Sequence, residues 1–282
     1  MKKIIIFGTS FVNTFLSLKY KNFTIIKYKG AMIKGLIDKN DNYKSMINIL
    51  DKNLYNYGLF MFGDPDCIFY YYKKKYVDNC NENNIEKVFY KNVEKYVKLV
   101  SELKNIDNKY ILGVSPPTVV DDEDYRKALT IYGTLTEDQA NKITKKDLEY
   151  NFRFNRFVKF NKILEESCKK YNINFCNIFN KLLDNNQKID KLFRLKFNPY
   201  NVHYNLEAVL IVYLNSCLSF LADKNILFSY KDIINKIKLE SEKYYKELFK
   251  VNSLNNNFND YKLDIKKIEN FAKRINKKLQ SK

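Results

Sequence analysis

Along the chain, apolar residues gather in short runs that stop at glycine, proline or hydroxyl residues, and longer stretches with helical spacing separate the runs. Ile4, Ile5, Ile6 and Phe7 form the first run, ended by Gly8, Thr9 and Ser10. A run that is apolar at every position fits a central parallel strand covered on both faces. Residues 23–28, β-branched and aromatic, predict a second strand, followed by a loop at 29–36 and a helix near 43–54. Residues 57–62 predict a third strand that ends in the polar turn Gly63, Asp64, Pro65, Asp66. Val88, Val93, Val97 and Val100 recur at helical intervals, and residues 110–115 predict a fourth strand stopped by Pro116 and Pro117. An insertion at 119–148 carries two short helical patterns. Phe154, Phe157, Asn161, Leu164 and Cys168 mark one face of a long helix, and residues 173–178 predict a fifth strand. Strands alternating with helices in this way predict an α/β fold, a three-layer, doubly wound, five-stranded parallel sheet.

Past residue 222 the pattern changes. Ile234, Ile237, Tyr244 and Leu248, then Ile265, Ile268, Ile275 and Leu279, fall at helical intervals on either side of an asparagine-rich break at 252–259. The expected organisation is an α/β domain at 1–223 with a C-terminal helical hairpin extension at 224–282, and a chain of 282 residues is long enough for both. The longest apolar stretch, 208–222, is too short to span a bilayer and is broken by Asn215 and Ser216. Gly8, Thr9 and Ser10 interrupt the N-terminal apolar run before it can serve as a signal peptide.

Composition changes this picture little. The formal charge of +18 suits an anionic partner, yet arginine occurs only at 126, 153, 156, 194 and 274 and the lysines are scattered. A nucleic-acid-binding role therefore rests on net charge alone. Cys67, Cys80, Cys168, Cys176 and Cys217 show neither CxxC nor Cys/His ligand spacing, so no metal site or disulfide framework is expected, and reduced thiols in a cytoplasmic setting are the default.

Candidate chemistry sits at the strand ends. In open α/β sheets ligands bind outside the carboxyl edge, where Ser10 is delivered by the first strand. Thr9 and Ser10 could equally cap a helix. His203 is the chain's only histidine and lies in a polar loop at 198–205, just before an apolar helix at 206–221; a lone histidine is often structural, but this loop can bring it over the strand ends. The acidic run at 121–124 could hold a cation, and it also suits the start of a helix. Phe69, Tyr70, Tyr71 and Tyr72, followed by three lysines, could stack on a sugar or base or form half of a core.

Four blocks then resemble, in order, those of the SGNH or GDSL-like hydrolases over about residues 3–222. Phe7-Gly-Thr-Ser10 is similar to the nucleophile block, with Thr9 where the family has Asp. Gly30, in the stretch 30–36, stands where the family offers a backbone N–H to the oxyanion. Gly63-Asp-Pro-Asp66 stands for the Gly-x-Asn-Asp block, and Val202-His203 for the C-terminal histidine block. The resemblance implies an SGNH-hydrolase, flavodoxin-like fold and ester hydrolysis, with Ser10 and His203 catalytic and no metal or organic cofactor. Gly30, Gly63, Asp64 and Asp66 would line the cleft, and a small-molecule or carbohydrate ester would be the partner.

Two further blocks depart from the pattern. Pro65 replaces the asparagine that donates to the oxyanion, and Tyr200 stands three residues before His203, where the orienting aspartate is expected. Asn198 or Asn201, or a backbone carbonyl, could orient the histidine instead. A non-catalytic SGNH-like domain that binds a glycan or other ligand is the rival these departures support.

Overall fold

The computed structural model describes residues 2–16, 23–190, 193–194, 200–204 and 206–222. The proposed hairpin at 224–282 and Asn198 lie outside these residues.

Strand β1 (Ile4–Gly8) is buried at every position because it runs through the interior of the sheet, hydrogen-bonded to β2 (Phe23–Lys27) on one side and β3 (Tyr55–Met61) on the other. The sheet continues through β4 (Ile106–Leu112) to β5 (Asn174–Cys176), in the order β2-β1-β3-β4-β5, and every pairing is parallel. The expected five-stranded parallel sheet is the one observed, and parallel neighbours require the helical crossovers that the spacing predicts.

Side chains alternate across the sheet, so β3 dresses both faces. Phe60 lies on the face of Phe7, and Phe62 meets Tyr96 of helix α3 (Glu82–Glu102) with ring centroids 6.1 Å apart. Helix α1 (Ile33–Ile37) and the long helix α7 (Tyr150–Lys170) pack against α3. On the opposite face Tyr57 meets Phe220 at 4.5 Å, just after helix α8 (Leu206–Asn215), and Tyr213 of α8 meets Phe15 at 5.7 Å. Helices therefore cover both sides.

Strand β4 starts earlier than its apolar pattern suggests. Asn105 turns the chain in the left-handed region (φ 65°) and Tyr55 pairs with Ile106, so exposed Asp107 and Asn108 join the ladder without an apolar signal. The expected loop at 29–36 contains α1, too short to show a helical repeat; helix α2 (Asp41–Asp51) follows it, with the Asn40 side chain accepting from Tyr43 N–H. The insertion holds three short helices rather than two, α4 (Asp122–Ile131), α5 (Glu137–Asn141) and α6 (Lys145–Leu148). Its acidic run is a helix start: the Asp121 carboxylate accepts from the N–H groups of Glu123 and Asp124, and Asp122 pairs with buried Arg153 at 3.0 Å. Tyr70, Tyr71 and Tyr72 are buried, so that aromatic run is mainly core, and Phe69 alone is partly exposed.

The expectation that all thiols are reduced is corrected at one pair. Cys176, at the end of β5, and Cys217, just after α8, form a disulfide with Cα atoms 5.4 Å apart. The two residues are 41 apart in sequence, so only the fold makes them neighbours. Among the described residues no helix is long and apolar enough to cross a membrane.

Candidate active site

At the carboxyl end of β1 the chain turns sharply into a short 3-10 helix, Ser10–Phe15. Gly8 permits the turn: a Cβ there would lie 2.4 Å from the Met61 carbonyl oxygen and 2.5 Å from a Val12 methyl. Thr9 anchors the turn, its N–H donating to the Met61 carbonyl at 3.1 Å and its hydroxyl accepting from Phe11 N–H at 3.5 Å. Capping thus falls to Thr9. Ser10 is left with its hydroxyl directed at His203, Oγ to Nε2 2.7 Å, across 193 residues of sequence.

His203 is held from all sides. Val202 and Tyr204 flank it and are buried; its ring lies against that of Phe11 at 4.9 Å with planes 28° apart, and Tyr204 meets Phe11 at 5.0 Å. Behind the ring, Nδ1 lies 2.9 Å from Asn201 Oδ1, which also accepts from the His203 backbone N–H at 2.9 Å. Thr118, beyond β4, donates to the Asn201 carbonyl at 3.3 Å and ties this loop to the sheet edge. Burial lowers the pKa of His203 from its ordinary value of 6.5, which favours the neutral imidazole.

The other cleft candidates flank this pair on neighbouring strands. Gly30 follows β2 with φ 66°, in a turn brought beside β1 by the bond from Tyr28 N–H to the Gly8 carbonyl at 2.8 Å. Gly63 follows β3 with φ 117°, and a Cβ there would meet the Phe160 ring at 2.5 Å. Asp64 and Asp66 are buried braces between loops. Asp66 accepts from the Ile33 N–H through both oxygens, at 3.1 and 3.2 Å, linking the turn after β3 to the start of α1. Asp64 Oδ1 accepts from the Ser115 N–H and hydroxyl, both at 3.4 Å, linking the same turn to the segment after β4. Burial raises Asp66 to about 8, with the Ile33 N–H acting against the rise and the Asp64 charge adding to it. Burial also raises Asp64 to about 7 against its bonds to Ser115. Asp64, Phe11, Ser115 and Val202 share the wall of a cavity of about 10 Å³, the size of a single water.

The structure therefore joins Ser10, His203 and Asn201 and uses Asp64 and Asp66 to hold the surrounding turns. Tyr200, in the position expected for an orienting acid, instead offers its ring to Lys127 Nζ at 5.4 Å. One residue at the site has no counterpart in the sequence reading. Tyr132, at the end of α4, donates its hydroxyl proton to Asn201 Oδ1 at 3.1 Å, with its ring 6.4 Å from that of His203. Nothing in its local sequence marks it.

The sequence matches no protein-family model and no curated protein. Among solved structures, it is similar to one assigned as an acylhydrolase from Bacteroides fragilis, with 12% identity, TM-score 0.50, and coverage of 78% of this chain and 86% of that one. A structure assigned as an SGNH hydrolase from Slackia heliotrinireducens aligns at 9% identity and TM-score 0.44, over 75% of this chain and 94% of that one. A GDSL-like lipase from Bacteroides thetaiotaomicron aligns at 13% identity and TM-score 0.47, over 76% and 85%. The likeness is one of fold: this chain shares with the acylhydrolase structure an α/β architecture, here a five-stranded parallel sheet covered by helices on both sides.

Proposed function

We propose that the chain is a serine ester hydrolase in which Ser10 is the nucleophile, His203 the general acid and base, and Asn201 the group that orients the histidine. The observation that carries this reading is the continuous contact from Ser10 Oγ to His203 Nε2 at 2.7 Å and from His203 Nδ1 to Asn201 Oδ1 at 2.9 Å. Nucleophile, base and orienting group within hydrogen-bond reach are what acyl transfer through a hydroxyl requires.

In the first half-reaction Ser10 Oγ attacks the ester carbonyl carbon while Nε2 takes its proton. The backbone N–H groups of Ser10 and Gly30 stabilise the oxyanion, and Nε2 returns the proton to the leaving alcohol as the C–O bond breaks. Water then adds to the acyl-Ser10 carbonyl, giving its proton to Nε2, and collapse of that intermediate restores the Ser10 hydroxyl. Asn201 accepts from Nδ1–H but carries no charge, so it supports the transient imidazolium less than a carboxylate would. With Pro65 in the donor asparagine's place, a loss of roughly 10²–10³ in turnover is the expected scale for one missing oxyanion donor. The substrate we favour is a small or carbohydrate ester, whose sugar ring would meet the exposed ring of Tyr132 and the partly exposed ring of Phe69.

The test is acyl release from short activated esters and acetylated sugars, with Ser10→Ala and His203→Ala each abolishing it. A rate unchanged by both substitutions refutes the reading. Pro65 favours a second one, a non-catalytic domain of the same fold, and wild-type protein that binds glycans without hydrolysing any ester would support it.

A further inference from the structure

An asparagine is a weaker director of histidine than an aspartate for a reason beyond charge. A carboxylate presents an acceptor whichever way it turns, whereas an amide presents an acceptor at one end and a donor at the other. Reversed, Asn201 would set a donor against His203 Nδ1. The proton would then settle on Nε2, and Ser10 would lose its base.

The surroundings of Asn201 prevent that reversal. Its Oδ1 faces the His203 backbone N–H at 2.9 Å, which can only donate. It also faces the Tyr132 hydroxyl at 3.1 Å. A hydroxyl can donate or accept, and here the Tyr132 hydroxyl meets the amide at its acceptor end, so its proton points at Asn201 Oδ1. The order of donation thus runs from Tyr132 to Asn201 Oδ1 and from His203 Nδ1 to the same oxygen. Nε2 is left to accept from Ser10. The Tyr132 ring is steadied by Phe69, their centroids 5.7 Å apart.

We propose that Tyr132 is a positioning residue: its hydroxyl fixes the Asn201 amide with Oδ1 toward His203 and so holds the imidazole in the Nδ1–H tautomer. The insertion at 119–148, which delivers Tyr132 at the end of α4, thereby completes the site. The consequence for turnover rests on the serine-hydrolase reading, whereas the consequence for the tautomer does not.

The experiment compares wild type with Tyr132→Phe, which keeps the ring and removes the hydroxyl. Because His203 is the only histidine, ring ¹⁵N NMR on the full chain reports its two nitrogens without overlap. Above the histidine titration the wild type should show protonated Nδ1 and bare Nε2, and the variant, which keeps only the His203 backbone N–H to hold the amide, should show a mixture of the two tautomers. With an activated ester, the variant's kcat should fall about three- to tenfold, the scale of one neutral hydrogen bond, while KM changes less than about twofold. In an Asn201→Asp background, which has no amide to reverse, Tyr132→Phe should cost less than about twofold. An unchanged tautomer in the variant overturns the proposal, as does an equal loss of turnover in both backgrounds. Should the variant not fold, a wild-type His203 carrying its proton on Nε2 overturns it. Wild type that shows the expected tautomer and hydrolyses no ester supports the positioning role and refutes the enzymatic one.

Discussion

Replacing Asn201 with aspartate tests whether the group behind His203 limits the chemistry. All three donors around that side chain, Tyr132 Oη and both the backbone and ring Nδ1 nitrogens of His203, meet Oδ1, so a carboxylate introduced there keeps every one of these contacts and adds a charge. Two unit charges about 4 Å apart near a protein surface attract by about 4 kcal/mol, and partial exposure of the loop reduces that figure. At about 1.4 kcal/mol per unit, the pKa of His203 should rise by roughly 1–3 units. The sign follows from which form the charge favours. In the wild type burial favours the neutral imidazole and lowers its titration from the ordinary 6.5, so on the proposed reading the acid limb of kcat/KM should lie below that pH. In Asn201→Asp the imidazolium is favoured and the limb moves up. On the plateau above it, where both proteins carry neutral histidine, the variant should be faster by about ten- to a hundredfold, because the imidazolium formed as Ser10 attacks now meets a carboxylate.

The assay is a pH–rate profile on an activated ester for both proteins. A limb that does not move, or a plateau no higher than the wild type's, means that Asn201 does not act on His203 as proposed.

Other tests address stability. Asp66→Asn keeps an acceptor for the Ile33 N–H and removes an ionisation. Because burial raises the folded pKa of Asp66 from 3.8 to about 8, its stabilisation is full below the lower value and is lost as pH rises through the higher one. The variant should therefore melt above wild type at pH 9 and lose less stability between pH 4 and 9; parallel curves would refute the assignment. For the disulfide, denatured unreduced protein should titrate as three thiols, Cys67, Cys80 and Cys168. Reduction or Cys217→Ser should cost about 2–4 kcal/mol in denaturant unfolding, and an unchanged midpoint would deny the crosslink.

How far the fold could be read depended on burial. Ile4 to Phe7 were legible because β1 is interior to the sheet and covered on both faces, which leaves no position for a polar side chain. The first half of β4 was not, because Asp107 and Asn108 point to solvent and owe their strand to the neighbouring β3 rather than to their own pattern. Helix α1 escaped for want of length. Cys176 and Cys217 looked unpaired because spacing along the chain carries no information about two elements that meet across the sheet edge.

The candidate site divides along the same line. Ser10 and His203 stood out by position at the ends of apolar elements, and their contact follows once β1 and the loop before α8 share one edge. Asn201 was legible as a candidate orienter and lies against the ring, while Asn198 lies outside the described residues. Asp64 and Asp66 pointed to the right turns without revealing what they do there. A carboxylate's role depends on whether it is buried, and here each serves a backbone N–H of another loop. Tyr132 carried no signal, since its part depends on a bond across 69 residues to an amide whose orientation no local rule reveals. A neutral orienting group needs that outside partner, whereas a carboxylate would not. On the proposed reading, losing the expected aspartate at position 200 and orienting the histidine through Asn201, one residue on, transfers part of that alignment to neighbouring residues, and a scan of single positions would register only the loss.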